Sequence, residues 1–186
     1  MGLTPLQGLP GATRSGSIDP SLIFHYTSQG EAHADKESDV GVSVAEDILN
    51  RKAGWKALCG TSDFGEVVNK AELDILEGEK VTKRNPYRLA FDLFVDRIVH
   101  YIGAYHVKLG AQVDALIFAG GIGERSAQLR SVVTRKVVCL GYSNIDERKN
   151  ARVEEGDAKV IDITDERRER GRILVVRTDE QVRVFC

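Results

Sequence analysis

The stretch VDALIFAGGIGERSAQLR, Val113 to Arg130, decides how this chain reads. Ala115 to Phe118 is an apolar run of the kind that forms a buried strand, and it leads into Gly120-Gly121-Ile122-Gly123. A helix is expected to open after the glycines, around Ser126. Glycine lacks a Cβ, so it takes positive φ and lets other atoms come close to the backbone. A glycine-rich turn that feeds a helix also gathers free N–H groups beside a positive helix end, which suits an anion or a nucleotide. The competing reading is a tight strand-to-helix turn in an ordinary α/β domain. The common phosphate-binding patterns do not separate the two. G-x-x-x-x-G-K-[ST] is absent, and the glycine spacing is not G-x-G-x-x-G.

Downstream, a helix is expected from Ser126 to Leu140 with Gly141 as its stop. KVIDI (Lys159 to Ile163) and ILVVRT (Ile173 to Thr178) read as further strands. This alternation of strand and helix predicts an α/β sheet with helical cover. Upstream, Pro86 opens and Gly110 closes the longest element, which spans roughly 24 helical residues, or about 36 Å. Arg88, Asp92, Asp96 and His100 form one polar stripe on it, and the apolar remainder predicts a largely buried helix. His100 and His106 read as structural or solvated, since no partner is identifiable near either. Nearer the start, Asp19, Pro20 and Gly30 frame a helix in DPSLIFHYTSQG as N-cap, first helical residue and stop. Ser43 with Glu46 forms a capping box for a helix closing at Gly54, and a short helix is expected over Asn69 to Glu77.

The 186 residues suffice for one ordinary domain, and 42% apolar with 29% charged residues describes a globular chain. A net charge of −2 argues against nucleic acid as a partner. In DERRERGR (Asp165 to Arg172) acids are interleaved with the bases, so it reads as a solvated loop. No apolar run approaches the roughly 18 residues that span a membrane, and the first residues lack the basic start and apolar core of a signal peptide. Cys59, Cys139 and Cys186 show no metal-ligand spacing and read as thiols in a reducing, cytoplasmic setting.

Four separated stretches then carry one resemblance: MGLTPLQGLPGATRSGSIDP (Met1 to Pro20), GTSDFGEV (Gly60 to Val67), FAGGIGERS (Phe118 to Ser126) and VVRTDEQ (Val175 to Gln181). In order and approximate spacing they resemble segments of the acetate kinases. The run RLAFDLFVDRIVHYIGAYHVKLGAQVDALIFAGGIGE, Arg88 to Glu124, strengthens the match. The resemblance covers nearly the whole chain and only the C-terminal half of a family member. It implies the ribonuclease-H-like fold shared with actin, sugar kinases and chaperone ATPases, here with an incomplete sheet. It also implies a single C-terminal nucleotide-binding domain.

By the same resemblance Gly121, Ile122 and Gly123 lie against the adenosine of ATP or ADP, and Glu124 and Arg125 complete that segment. Asp63, Phe64 and Gly65 match a second adenosine segment. Asp63 reads alternatively as a helix cap and Phe64 as core. Arg125 and Gly65 depart from the family, which usually has Asn and Arg there. Arg14 matches the arginine that stabilises the transition state, and a planar guanidinium suits the oxygens of a phosphoryl group in transfer. Its alternative is a loop arginine paired with Asp19. Glu180 matches a glutamate associated with Mg²⁺, for which a carboxylate is a suitable hard ligand. The implied reaction is phosphoryl transfer between ATP and acetate or another short-chain carboxylate, by an enzyme that is a homodimer at full length. Several catalytic segments of the family have no counterpart here. The isolated chain is therefore expected to be inactive, and a remnant that binds nucleotide or dimerises remains the alternative.

Overall fold

The computed structural model describes residues 4–27, 44–73, 85–155, 157–166 and 171–178. In chain order the elements are α1 (Leu22–Thr27), α2 (Val44–Arg51), α3 (Gly54–Cys59), α4 (Phe64–Lys70), α5 (Pro86–Lys108), β1 (Ala115–Ala119), α6 (Gly120–Arg125), α7 (Ala127–Val137), α8 (Glu147–Ala151), β2 (Val160–Asp162) and β3 (Arg172–Val176). Short 3-10 turns occupy Val138–Leu140 and Val153–Glu155. The chain divides into two compact units, Met1–Arg97 and Ile98–Cys186.

The second unit holds a three-stranded mixed sheet in the order β1-β3-β2. β1 runs parallel to β3, pairing Ala115 with Arg172 through Ala119 with Val176. β2 runs antiparallel to β3, with Ile161 opposite Val175. Strand bounds differ from the sequence reading by no more than two residues at either end, and β1 starts at the expected Ala115. Period-two alternation explains β3: Ile173 and Val175 are fully buried while Leu174 and Val176 are half-buried. On α7, Leu129, Val133 and Val137 recur at helical spacing and are buried with Phe118, Tyr142, Val153 and Ile163. Gly141 closes the turn after α7 in the left-handed conformation, as its sequence position predicts. His106 is a buried structural residue here, with Nδ1 3.3 Å from the Tyr142 hydroxyl.

Helix α5 starts and ends close to where Pro86 and Gly110 place it. Asn85 caps it, its Oδ1 accepting from the N–H groups of Tyr87 and Arg88. The expectation that it is largely buried is corrected. Ala90, Phe91, Phe94 and Val95 are buried, but Leu89, Leu93, Tyr105, Val107 and Leu109 are exposed, Val107 at 75%. A helix apolar on two faces needs neighbours on both, and among the described residues one face is covered.

In the first unit, Trp55, Phe64, Phe91 and Phe94 form an aromatic core. Ring centroids lie 5.4 Å apart for Trp55–Phe64 and 5.0 Å for Phe64–Phe94, in edge and tilted arrangements. Helix α4 occupies Phe64–Lys70, capped by Asp63, and so starts five residues before the expected Asn69; residues 71–73 are not helical. Residues 74–84, with the rest of the expected helix up to Glu77, lie outside the described part, as do Gly30 and Ser43. Helix α1 begins at Leu22, with Asp19 and Pro20 in the turn before it.

Gly54 does not close α2, which ends at Arg51; it opens α3 with φ +68°. The reason is a close approach of backbones. The Trp55 and Lys56 N–H groups donate to the carbonyls of Gly11 and Ala12 at 3.2 and 2.9 Å. A Cβ at Gly54 would stand 2.1 Å from the Gly11 oxygen and 2.7 Å from that of Ala12. Gly54→Ala therefore combines a left-handed backbone with a clash against main chain. It is expected to lower stability by about 1–3 kcal/mol from the backbone alone, and more from the clash. Denaturant unfolding is the check, and a midpoint equal to that of the unaltered chain would contradict this packing.

Candidate functional site

The glycines after β1 do not form a turn that precedes a helix at Ser126; they are themselves the first turn of α6. Ala119 is extended at φ −144°, Gly120 takes φ +74°, and helical backbone follows at once. Glu124 makes this possible by reaching back one turn, its Oε1 accepting from the Gly120 N–H at 2.9 Å. The anion at this helix start is thus the chain's own carboxylate. Ser126 breaks α6 with an extended backbone and caps α7 through Oγ, which accepts from the Leu129 N–H at 3.2 Å.

The same Glu124 oxygen accepts from the Thr178 N–H at 2.9 Å and from Thr178 Oγ1 at 2.8 Å. The Thr178 backbone bond leads in holding the Glu124 carboxyl below the usual range, with burial opposing it. Glu124 therefore turns inward and ties the end of β3 to the start of α6. Arg125 is exposed, and Ile122 is half-buried.

Only Gly120 is required to be glycine by the chain's own geometry. Among the described residues, a Cβ on Gly121 would meet nothing within 4 Å, and one on Gly123 would sit 3.6 Å from Phe118, an ordinary contact. Glycine inside a helix is unfavourable by roughly 0.5–1 kcal/mol relative to alanine. The packing of the described residues gives no return for glycine at 121 and 123.

Arg130 and Asn150, both buried, were not singled out by sequence reasoning. Arg130 Nη1 donates to the carbonyls of Gly123 at 2.9 Å and Glu124 at 2.7 Å. Its Nε and Nη2 donate to Asn150 Oδ1 at 2.7 Å and Asn150 O at 2.8 Å. The available signal was an arginine directly beside Leu129 in the core-facing pattern of α7, a place where charge is rarely found without work to do.

In the first unit Asp63 caps α4, its Oδ1 accepting from the Gly65 N–H at 2.8 Å. Phe64 is buried in the aromatic core, while Asp63 and Gly65 are exposed. Arg14 is exposed, and among the described residues its guanidinium has no hydrogen bond or ion pair; Asp19 instead accepts from the Ser21 N–H. The backbone carrying Arg14 is held on both sides. The Gly11 N–H donates to Arg14 O at 2.9 Å, Ser15 N–H to Leu49 O at 2.9 Å, and Ala53 N–H to Thr13 O at 3.0 Å. Thr13 Oγ1 adds a bond to Asn50 O at 3.1 Å. A cavity of about 360 Å³ lies in this unit between Ser15, Ser17, Trp55, Leu58, Leu93 and Arg97, and neither Arg14 nor Asp63 lines it. Glu180 lies outside the described residues, and among those described no three acidic, histidine or cysteine side chains cluster as metal ligands do. No helix among them is long and apolar enough to cross a membrane.

The comparisons with known proteins agree with the four-part resemblance. Residues 1–185 match the model of the acetokinase family. The chain is 48% identical to a probable acetate kinase of Neurospora crassa, over 97% of this chain and 42% of the relative. The crystal structure of acetate kinase from Entamoeba histolytica matches with a TM-score of 0.76 and 27% identity, over 98% of this chain and 42% of that one. A propionate kinase from Francisella tularensis matches with a TM-score of 0.71 and 33% identity, over 98% and 40%. The chain thus spans about two fifths of the length of the relatives it matches. Their likeness gives the mixed sheet and its helices the ribonuclease-H-like fold. With a family match from end to end and the glycine helix in place after β1, this chain belongs to the acetokinase family.

Proposed function

We propose that this chain carries nucleotide-binding and phosphoryl-stabilising parts of a kinase that transfers phosphate between ATP and acetate or a similar short-chain carboxylate. A carboxylate oxygen attacks the γ-phosphorus, the bond to the ADP oxygen breaks, and an acyl phosphate results. Family membership supports the reaction class. The observation that carries the nucleotide reading is the presence of Gly121 and Gly123 where the packing of the described residues has room for a side chain. Glycine there leaves a bare helical surface against which a flat ligand can lie. Ile122 and Arg125 belong to that same segment, and Glu124 acts from behind it. Asp63, Phe64 and Gly65 keep their family-implied role toward the nucleotide, with Phe64 shaping the segment from inside the core.

Arg14 is proposed as the transition-state arginine. Its backbone is fixed by the bonds to α2 and the loop before α3, and its side chain is exposed without a partner among the described residues. Preorganised charge of this kind is what phosphoryl transfer draws on. Magnesium enters through family membership, with Glu180 as the proposed carboxylate. A second reading, a module that dimerises without catalysing, is favoured by the exposed apolar side chains of α5.

Gly121→Ala is expected to separate folding from binding. It should raise stability by about 0.5–1 kcal/mol while weakening ADP binding tenfold or more in calorimetry. Unchanged ADP affinity would remove the nucleotide reading. A dimer in sedimentation equilibrium that binds no ADP at millimolar concentration would favour the second reading. For Arg14, the chain joined to the amino-terminal portion of a full-length relative is the assay form. There Arg14→Ala should lower kcat on the order of 10²-fold or more and leave ADP affinity within about twofold. An Arg14→Ala variant with near-normal kcat would overturn its role.

A further inference from the structure

We infer that Arg130, held by Asn150, is a positioning residue that sets the orientation of the nucleotide-facing glycine helix. The inference rests on the nucleotide reading above and adds a residue that touches no ligand. Helix α6 has six residues, too few to be stable alone, and Ser126 ends it with an extended backbone. Its last carbonyls therefore lack helical partners. Two of them, Gly123 O and Glu124 O, are taken by one nitrogen of the Arg130 guanidinium. The opposite side of the guanidinium is held by both the side-chain and main-chain oxygens of Asn150. Asn150 is itself fixed, its Nδ2 donating to Ala127 O at 3.0 Å and Glu147 Oε2 at 3.2 Å. The fork thus links three elements, α6, α7 and α8.

A bland core role explains this poorly. Arg130 is 1% exposed, and no ion pair among the described residues includes it. Burial pulls its pKa below the usual arginine value, with the more distant Glu154 and Glu147 opposing. A buried cation without a contact anion is costly, and an apolar side chain of similar volume fills such a space at less cost. What an apolar residue cannot do is hold two successive carbonyls of a glycine-rich helix at once. A binding surface made of backbone needs that, because displacements near half an ångström already weaken a preorganised site.

The test compares ADP affinity at matched stability in the full 186-residue chain. Arg130→Lys keeps the charge but replaces the planar fork with a point donor. It should weaken ADP binding tenfold or more. Val137→Ala, buried on the same helix α7 and outside this network, should lose comparable thermal stability yet bind ADP within twofold of the unaltered chain. Asn150→Ala should weaken binding several-fold. Its combination with Arg130→Lys should cost no more than Arg130→Lys alone, because the two act as one unit. If Arg130→Lys fails to unfold cooperatively, Asn150→Ala carries the same comparison with Val137→Ala. An unaltered chain that binds no ADP would overturn the nucleotide reading and this inference together. An unaltered chain that binds, with Arg130→Lys or Asn150→Ala binding equally or Val137→Ala binding as poorly, would overturn the positioning role alone.

Discussion

Backbone carbonyls at the end of a short helix must find partners, and here Arg130 supplies them. Gly123 and Glu124 give their carbonyls to its guanidinium while Glu124 gives its carboxylate to Gly120 and Thr178. One six-residue helix is thereby fastened at its first amide, at its last turn and to the end of β3. Fastening of this kind lets glycine persist in a helix despite its conformational entropy. It allows a stretch of chain with little side chain of its own to present a defined surface.

The first unit solves a similar problem with other means. The loop carrying Arg14 has no regular structure, yet its backbone bonds run to the end of α2 and the start of α3. Gly54 permits the approach, since any larger residue would strike the Gly11 carbonyl. The aromatic core beneath, centred on Trp55 and Phe64, keeps α3 and α4 in place. A charged side chain on a fixed backbone needs little reorganisation when charge develops beside it. Both units therefore hold their glycine-rich or charged segments on backbone that hydrogen bonds have already fixed.

Much of this was legible in the residues. The start of α5 at Pro86, its stop near Gly110 and the turn at Gly141 follow from local rules with short reach, and the apolar patterns of α7 and β3 follow from periodicity. The order of the four quoted stretches carried the family. Four things were out of reach. Glycine-rich sequence after a strand reads as turn, because what makes it helical is Glu124 capping from the far end and Arg130 holding carbonyls from the next helix. Gly54 reads as a stop, because the carbonyls it meets lie some forty residues earlier in the chain. Asp63 and Phe64 read equally as ligand contacts or as cap and core, and the structure gives each side chain a cap or core partner that spacing alone cannot reveal. Arg130 was hidden for the opposite reason: a charge in an amphipathic helix reads as surface unless its burial is known.

The central claim is that the outer surface of the glycine helix receives the nucleotide. Amide chemical shifts of the ¹⁵N-labelled chain during titration with ADP address it residue by residue. Saturable shifts at Gly121, Ile122 and Gly123, with little change at Val160 to Asp162 of β2, are the expected result. Saturable ADP binding that leaves the α6 amides unmoved, or moves only residues of other elements, would contradict it.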